Sequence, residues 1–495
     1  MSAYQELERR FARYSQLRDV AAMLHWDTAV MMPPGGAEAR AGQLATLDVV
    51  AHEILIDPGL AALIEEASDA DGLDPWQGAN LSEMRRLWGH ANAVGSDLVA
   101  ALSRASSACE MAWRTARQEN DFASIIAPAE ELLARLRESA RARGEKLGLG
   151  DYDALLDQYE PGARSAQIDT VLDDLASFLP DFLERVLAHQ ADQPAPLALE
   201  GPFDTGAQKK LCVALMKTLG FDFSRGRLDV SHHPFCGGVP EDVRITTRYD
   251  EKDFMPAMMA ALHETGHALY EQGLPDRWRH QPVGGARGMG LHESQSLLIE
   301  MQACRGREFL SFAAPMIRDA FGADGRAWEA DNIYRLGILV KPGMIRVDAD
   351  EVTYPLHVIL RYRLEKAMIA GDLAIKDLPG AWNDAMGEFL GLTPANDAEG
   401  CLQDIHWYDG AYGYFPTYTL GALAAAQLFE AAADALAGLG ADLARGDFSR
   451  LIGWLKANIH AKGSFLTSDE LIAAATGRPL DSRAFKRHLE TRYLG

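Results

Sequence analysis

The chain has 495 residues, and at about 150 residues per domain this allows roughly three domains or one large one with ample core. Lys and Arg total 48 against 71 Asp and Glu, a net charge of −23, which excludes the clustered cations that nucleic-acid backbones or anionic membrane surfaces require. Hydrophobic residues at 48% and charged residues at 24% exclude wholesale disorder.

Leu7, Phe11, Tyr14, Leu17, Val20 and Leu24 recur at three- and four-residue steps and predict an N-terminal amphipathic helix. It stops at Pro33-Pro34-Gly35-Gly36. Residues 1–25 carry seven charges from Glu6 to Asp19 and no apolar leader segment. Helical periodicity continues over 38–70, 80–118, 122–146 and 165–190. Gln193 to Gly206, with Pro194, Pro196 and Pro202, is the expected linker or hinge, and 207–220 is helical again.

Strand character is confined to 227–231 and 243–249. Between them, His233-Pro234-Phe235-Cys236-Gly237-Gly238 reads as a turn-rich connection. The 243–249 strand is expected to offer an edge on which an extended peptide adds by main-chain bonds. Helices are predicted over 253–272, 291–322, 326–340, 354–370, 379–390, 420–445, 448–460 and 468–475. The uncharged run Gly410 to Phe429 reads as a buried loop entering a helix, because Pro416 and several Gly and Tyr interrupt it. Cys109, Cys212, Cys236, Cys304 and Cys401 form no CxxC pair and read as free thiols of a reducing, cytoplasmic compartment. The expectation is a mainly α protein, one helical domain over 1–495, with a small sheet beside the helix 253–272.

That helix contains His263-Glu264-Thr265-Gly266-His267. Two histidines four apart project from one helical face, one turn above the other, and can share an ion. Glu264 follows the first by roughly 100° around the axis, where a carboxylate reaches a water on the metal without itself binding. This is the HExxH arrangement of zinc peptidases, expected by chance about 0.03 times in such a chain. A catalytic metal needs a third protein ligand. Glu293 on the next predicted helix has a workable separation, with His292 and Glu300 as competitors. The simple pattern of a Glu followed four residues later by Asp is absent, since Leu297 stands there.

Together with His233-Pro234-Phe235, Asp242-Val243-Arg244-Ile245-Thr246, His292-Glu293-Ser294-Gln295, Ile345 to Asp350, and Gly400 to Trp407, the chain resembles the carboxypeptidase Taq family of metallocarboxypeptidases. Tyr152 to Asp157 and Gly413 to Tyr418 also look like the family, so the resemblance runs along most of the chain in order. It implies a mainly helical metallopeptidase fold with a deep groove, a homodimer, and release of C-terminal residues one at a time with broad specificity. It also implies His263, His267 and Glu293 as metal ligands, with Zn2+ usual and Co2+ also effective.

In such an enzyme Glu264 is the expected general base and acid. His406 and one of Tyr408, Tyr412, Tyr414 or Tyr418 are candidates to support the oxyanion. Arg346 is the expected fork for the substrate's α-carboxylate, with an ion pair to Asp348 or Asp350 as the structural alternative. Arg244 serves substrate or sheet. Gln403 and Asp404 are expected to orient these groups, Asp404 also as a partner for a ligand histidine. The competing functions are a metal-dependent oligopeptidase or endopeptidase, and a non-catalytic peptide-binding homologue. The expected partners are peptides with a free C-terminus, with no nucleic acid and no membrane.

Overall fold

In the computed structural model, which describes residues 1–495, the apolar stripe at the N-terminus lies on α1 (Ala3–Val30), opened by a Ser2–Gln5 capping box. Next come α2 (Ala37–Leu55), α3 (Pro58–Asp69) and α4 (Pro75–Ala93). Leu7 and Phe11 pack with Leu60, Ile64, Leu81 and Met84 as a small apolar cluster. The predicted helix 38–70 is split because Pro58 offers no N–H to continue it and Asp57 caps a new start. The predicted helix 80–118 is split at Gly95, which caps the following helix in extended conformation.

Helices α5 (Ser96–Glu119), α6 (Phe122–Leu147), α7 (Asp151–Leu156) and α8 (Ser165–Ala191) lead to an irregular stretch, then α9 (Thr205–Thr218). The sheet consists of β1 (Gly226–Val230), β2 (Phe235–Val239) and β3 (Asp242–Thr247), in the order β1-β3-β2. β3 is parallel to β1 and antiparallel to β2, with Phe235 opposite Thr246 and Val239 opposite Asp242.

Two expectations are corrected here. The stretch read as a turn contains β2, whose Gly237-Gly238 pair hides it from a search for β-branched residues. Gly238 has φ 86°, and a Cβ on it would stand 2.2 Å from the Asp242 carbonyl oxygen. And β3 is the central strand, paired on both sides, so it has no edge to offer a peptide.

The chain continues through α10 (Met255–Gln272), α11 (Met289–Leu297), a wide turn over Leu298–Cys304, α12 (Arg307–Phe321) and α13 (Ala330–Gly337). Then follow α14 (Tyr354–Ala370), α15 (Leu378–Leu390), short α16 (His406–Asp409) and α17 (Pro416–Ala435). The end comprises α18 (Leu439–Leu443), α19 (Ser449–Asn458), α20 (Ser468–Thr476) and α21 (Arg483–Leu494). Composition conceals α21, rich in charge, but its Phe485, Leu489 and Tyr493 recur every fourth residue and are buried. The Gly410–Phe429 run is a loop entering α17, and no helix is long and apolar enough to cross a membrane.

Two large apolar cores result. One gathers α5 to α8 with α14, α15 and α21; the other gathers α9 to α13 with α18 to α20. The irregular stretch between α8 and α9 carries the chain from the first to the second. α17 belongs to both, giving Leu423 and Ala426 to the first and Ala424, Ala425 and Leu428 to the second. Each fully buried leucine on it contributes about 1.5–3 kcal/mol to holding the halves together.

Candidate metal centre and active site

α10 lies between the sheet and α11. Ala261 and Ala268 pack against Val243 and Ile245 of β3. On another face a Cβ on Gly266 would stand 2.4 Å from the Gln295 carbonyl oxygen and 2.6 Å from Ser296 Cα. The glycine inside the HExxH motif thus lets α10 and α11 meet backbone to backbone. That contact brings Glu293 beside the two histidines.

His263 Nε2 and His267 Nε2 lie 3.8 and 3.4 Å from Glu293 Oε2, and the three donor atoms all fall within 4.8 Å of one another. Donors about 2.0–2.1 Å from one ion stand roughly 3.3–3.4 Å apart at tetrahedral angles. The spacing therefore fits a shared ion. The opposite ring nitrogens are already engaged: His263 Nδ1 meets Glu300 Oε2 at 2.9 Å and His267 Nδ1 meets His292 Nδ1 at 2.6 Å. His292 Nε2 in turn meets Glu271 at 2.8 Å, and Glu300 accepts from Arg305 at 2.8 Å. Each imidazole is held with its free nitrogen toward one point.

Of the three carboxylates and imidazoles that competed on spacing, Glu293 completes the converging set, while His292 and Glu300 brace the histidines. Glu300 reaches His263 because the turn after α11 is wide, with Arg305 N–H bonding the Glu300 carbonyl five residues back.

The donor set is electrostatically matched to a cation. Burial disfavours charge on His263, yet Glu293, Glu300 and Glu264 outweigh it and raise its pKa to about 10. Burial lowers His267 to about 4. Burial opposes ionisation of Glu293 too, but His263 and His267 hold it near 2. Glu264, 7% exposed and outside the converging set, is raised to about 7 by burial and by Glu293 and Glu300.

His263, Glu293 and Glu300 line a cavity of about 330 Å³ whose other wall carries Tyr354 and Tyr418. Behind that wall Arg346 donates to Asp404 Oδ1 at 2.7 and 3.1 Å and to the Tyr354 hydroxyl at 2.8 Å. Arg361, fully buried, donates to Asp404 Oδ2 at 2.6 Å. Burial resists charge on Asp404, but the two guanidinium groups hold its carboxyl well below the usual range. Two cations thus share one anion. The Tyr418 hydroxyl lies 3.4 Å from His406 Nε2. Burial lowers His406 to about 4, with Arg346 and Arg361 acting in the same direction.

Several expected roles move. Arg346 pairs with Asp404, not with Asp348 or Asp350; Asp350 instead accepts from the Val352 and Thr353 N–H groups just before α14. Asp404 serves two arginines and no ligand histidine. Gln403 is buried, accepting from Arg346 N–H and donating to the Met344 and Glu399 carbonyls, so it holds backbone. Tyr408 is 2% exposed, stacked on Trp113 with its hydroxyl on the Cys401 carbonyl, inside the first core. Arg244 pairs with Asp242 and lies 4.2 Å over the Trp26 ring, tying the sheet to α1. Sequence reading missed Tyr354, Arg361 and Glu271; only Glu271, one helical turn beyond His267, left a signal in spacing.

A family profile described as "Carboxypeptidase Taq (M32) metallopeptidase" matches residues 6–493. The chain belongs to this family. It is 37% identical to "Thermostable carboxypeptidase 1" of Thermus thermophilus over 503 aligned positions, covering 99% of this chain and 98% of that one. It is 34% identical to "Carboxypeptidase 1" of Bacillus subtilis, with 99% and 97% covered. Among solved structures, "Trypanosoma Cruzi Metallocarboxypeptidase 1" superposes with a TM-score of 0.98 at 41% identity, covering 100% and 99%. The M32 carboxypeptidase from Deinococcus radiodurans does so at 0.93 and 35%, covering 99% and 98%. Family membership makes this chain a metal-dependent carboxypeptidase, acting on peptides.

Proposed function

We propose that the protein trims peptides of varied sequence from a free C-terminus, one residue per turnover, with His263, His267 and Glu293 holding one divalent ion. The convergence of two imidazole nitrogens and one Glu293 oxygen, beside a buried carboxylate outside the set, carries this reading. An ion held by these three residues would supply Lewis acidity, for activating a water and polarising the scissile carbonyl. Zn2+ suits two imidazoles and one carboxylate with an open position, and Co2+ is the second fit.

Glu264 accepts the proton of the attacking water and delivers it to the departing amine. Tyr418, with His406 behind it, donates toward the developing oxyanion. Arg346 receives the α-carboxylate: Asp404 and Tyr354 fix its plane, and Arg361 leaves the group with one positive charge in excess of Asp404. An internal peptide bond presents no such anion, which favours end-trimming over endopeptidase cleavage.

The chain acts as a single domain with its hinge in 193–206, the stretch that joins the two cores. The family resemblance supports a homodimer, and five free cysteines support a cytoplasmic setting.

The test compares a free-acid peptide with its C-terminal amide. The wild-type protein should cleave only the first, and Glu264→Gln should lower kcat at least a hundredfold with metal content unchanged. Comparable cleavage of the amide, or near-normal turnover by Glu264→Gln, overturns the reading.

A further inference from the structure

Behind α11 and α17, away from the cavity lined by His263 and Glu293, a second cavity of about 280 Å³ opens between α8, α20 and these two helices. It is slightly smaller than the usual small-molecule site of about 300 Å³ or more, which suits a ligand of a few heavy atoms. Ile168, Val171, Leu420 and Ile472 give it an apolar lining, and Glu160 supplies its one deeply placed charge. The Glu160 side chain is 3% exposed. One of its oxygens accepts from the Gly290 N–H; the other, Oε2, accepts no hydrogen bond from the protein.

The Ser468 hydroxyl, buried at the same spot, also lacks a partner. A Cβ on Gly288 would stand 2.9 Å from Glu160 Oε2 and 3.3 Å from Ser468 Oγ, so both oxygens border the same small space beside Gly288. The Arg287 guanidinium favours the ionised Glu160 through space but makes no hydrogen bond to it, donating instead to Glu83 and the Pro161 carbonyl. Burial accordingly raises the Glu160 carboxyl to about 7, and Asp469 pushes in the same direction.

A buried carboxylate with an unused oxygen, an unpartnered hydroxyl beside it and an aliphatic wall together describe a receptor for an ammonium group on an apolar body. Asp469 at the mouth disfavours a ligand that also carries a carboxylate, such as a free amino acid. We propose that this cavity binds a small alkylammonium ligand, its nitrogen donating to Glu160 Oε2 and Ser468 Oγ and its chain lying along Ile168 and Val171. The assignment is independent of the peptidase reaction. Nothing in it involves the metal ligands.

Calorimetric titration of the metal-loaded protein with isopentylamine near pH 7 tests this, with isopentanol and isovalerate as uncharged and anionic analogues. The amine is expected to bind saturably, and both analogues at least tenfold more weakly. Glu160→Gln, which keeps an acceptor for Gly290 N–H, should weaken amine binding about tenfold or more, the usual weight of a charge-assisted hydrogen bond. Val171→Phe, which fills the cavity and leaves Glu160 in place, should abolish it. Absence of saturable amine binding, equal affinity for the alcohol, or unchanged affinity in a folded variant of either kind overturns the proposal.

Discussion

Gly421 of α17 lies directly against Glu293: a Cβ on it would stand 2.7 Å from Glu293 Cγ and 2.8 Å from Glu293 Cβ. The third donor of the converging set is therefore placed by an absent side chain on another helix. Gly421→Ala should displace the carboxylate while sparing the fold. We expect metal affinity to fall about 10–100-fold, as when a bracing partner is lost, with the far-ultraviolet circular dichroism unchanged. Wild-type affinity measured by chelator competition would contradict this.

Glu271 and His292 brace His267 and would act on an ion at the proposed site only through it. Glu271→Gln should weaken metal binding less than His292→Ala, since glutamine still accepts from His292 while alanine frees the His267 ring. The bracing role calls for a loss of about 10–100-fold in affinity for the alanine variant. A direct ligand role for His292 would instead abolish binding.

Arg346 and Asp404 should separate binding from turnover. Arg346→Lys loses the fork and should lower kcat/KM for free-acid peptides roughly a hundredfold, mostly through KM. Asp404→Asn leaves two neighbouring guanidinium groups without their anion and should destabilise the wall as well. Steady-state kinetics paired with thermal melting resolves the two effects; an unchanged KM in Arg346→Lys removes it from substrate recognition.

α21 is fastened through Glu351, which accepts from His488, Arg492 and Tyr493 at 2.8, 3.0 and 3.0 Å. Burial opposes charge on Glu351, but His488 and Arg492 hold its carboxyl far below the unfolded value near 4.5. A depressed acid stabilises above its unfolded pKa and loses that contribution as pH falls. Burial also lowers His488 below 6.5, so acid again favours the unfolded chain. The protection of α21 amides against hydrogen exchange, taken relative to the intrinsic rate at each pH, should therefore fall below pH 6.5, and more steeply below about 4.5. Glu351→Gln should lose protection at neutral pH and flatten that dependence.

The parts of the site that could be read in the sequence are those set by local helical spacing. His263 and His267 meet because four residues span one turn, and Glu264 follows from the same geometry. Glu293 took more: its place depends on Gly266 and Gly421, two glycines whose role appears only once α10, α11 and α17 are packed. The wall around Arg346 was harder still. Its members come from residues 346, 354, 361, 404 and 418, and only Tyr354 and Arg361, two turns apart on α14, are linked by a helical period. Tyr408 and Tyr418 look alike in sequence, yet one is packed on Trp113 while the other faces the cavity. The sheet was half visible, because β2 draws its strand character from pairing with β3 and not from its own glycines.

A helix that serves both cores has a consequence for how this enzyme comes into being. Tyr418 and Gly421 sit on α17, so the fit of Glu293 and of the tyrosine facing it rests on a rod that both halves must grip. Either half, synthesised alone, should therefore be without peptidase turnover.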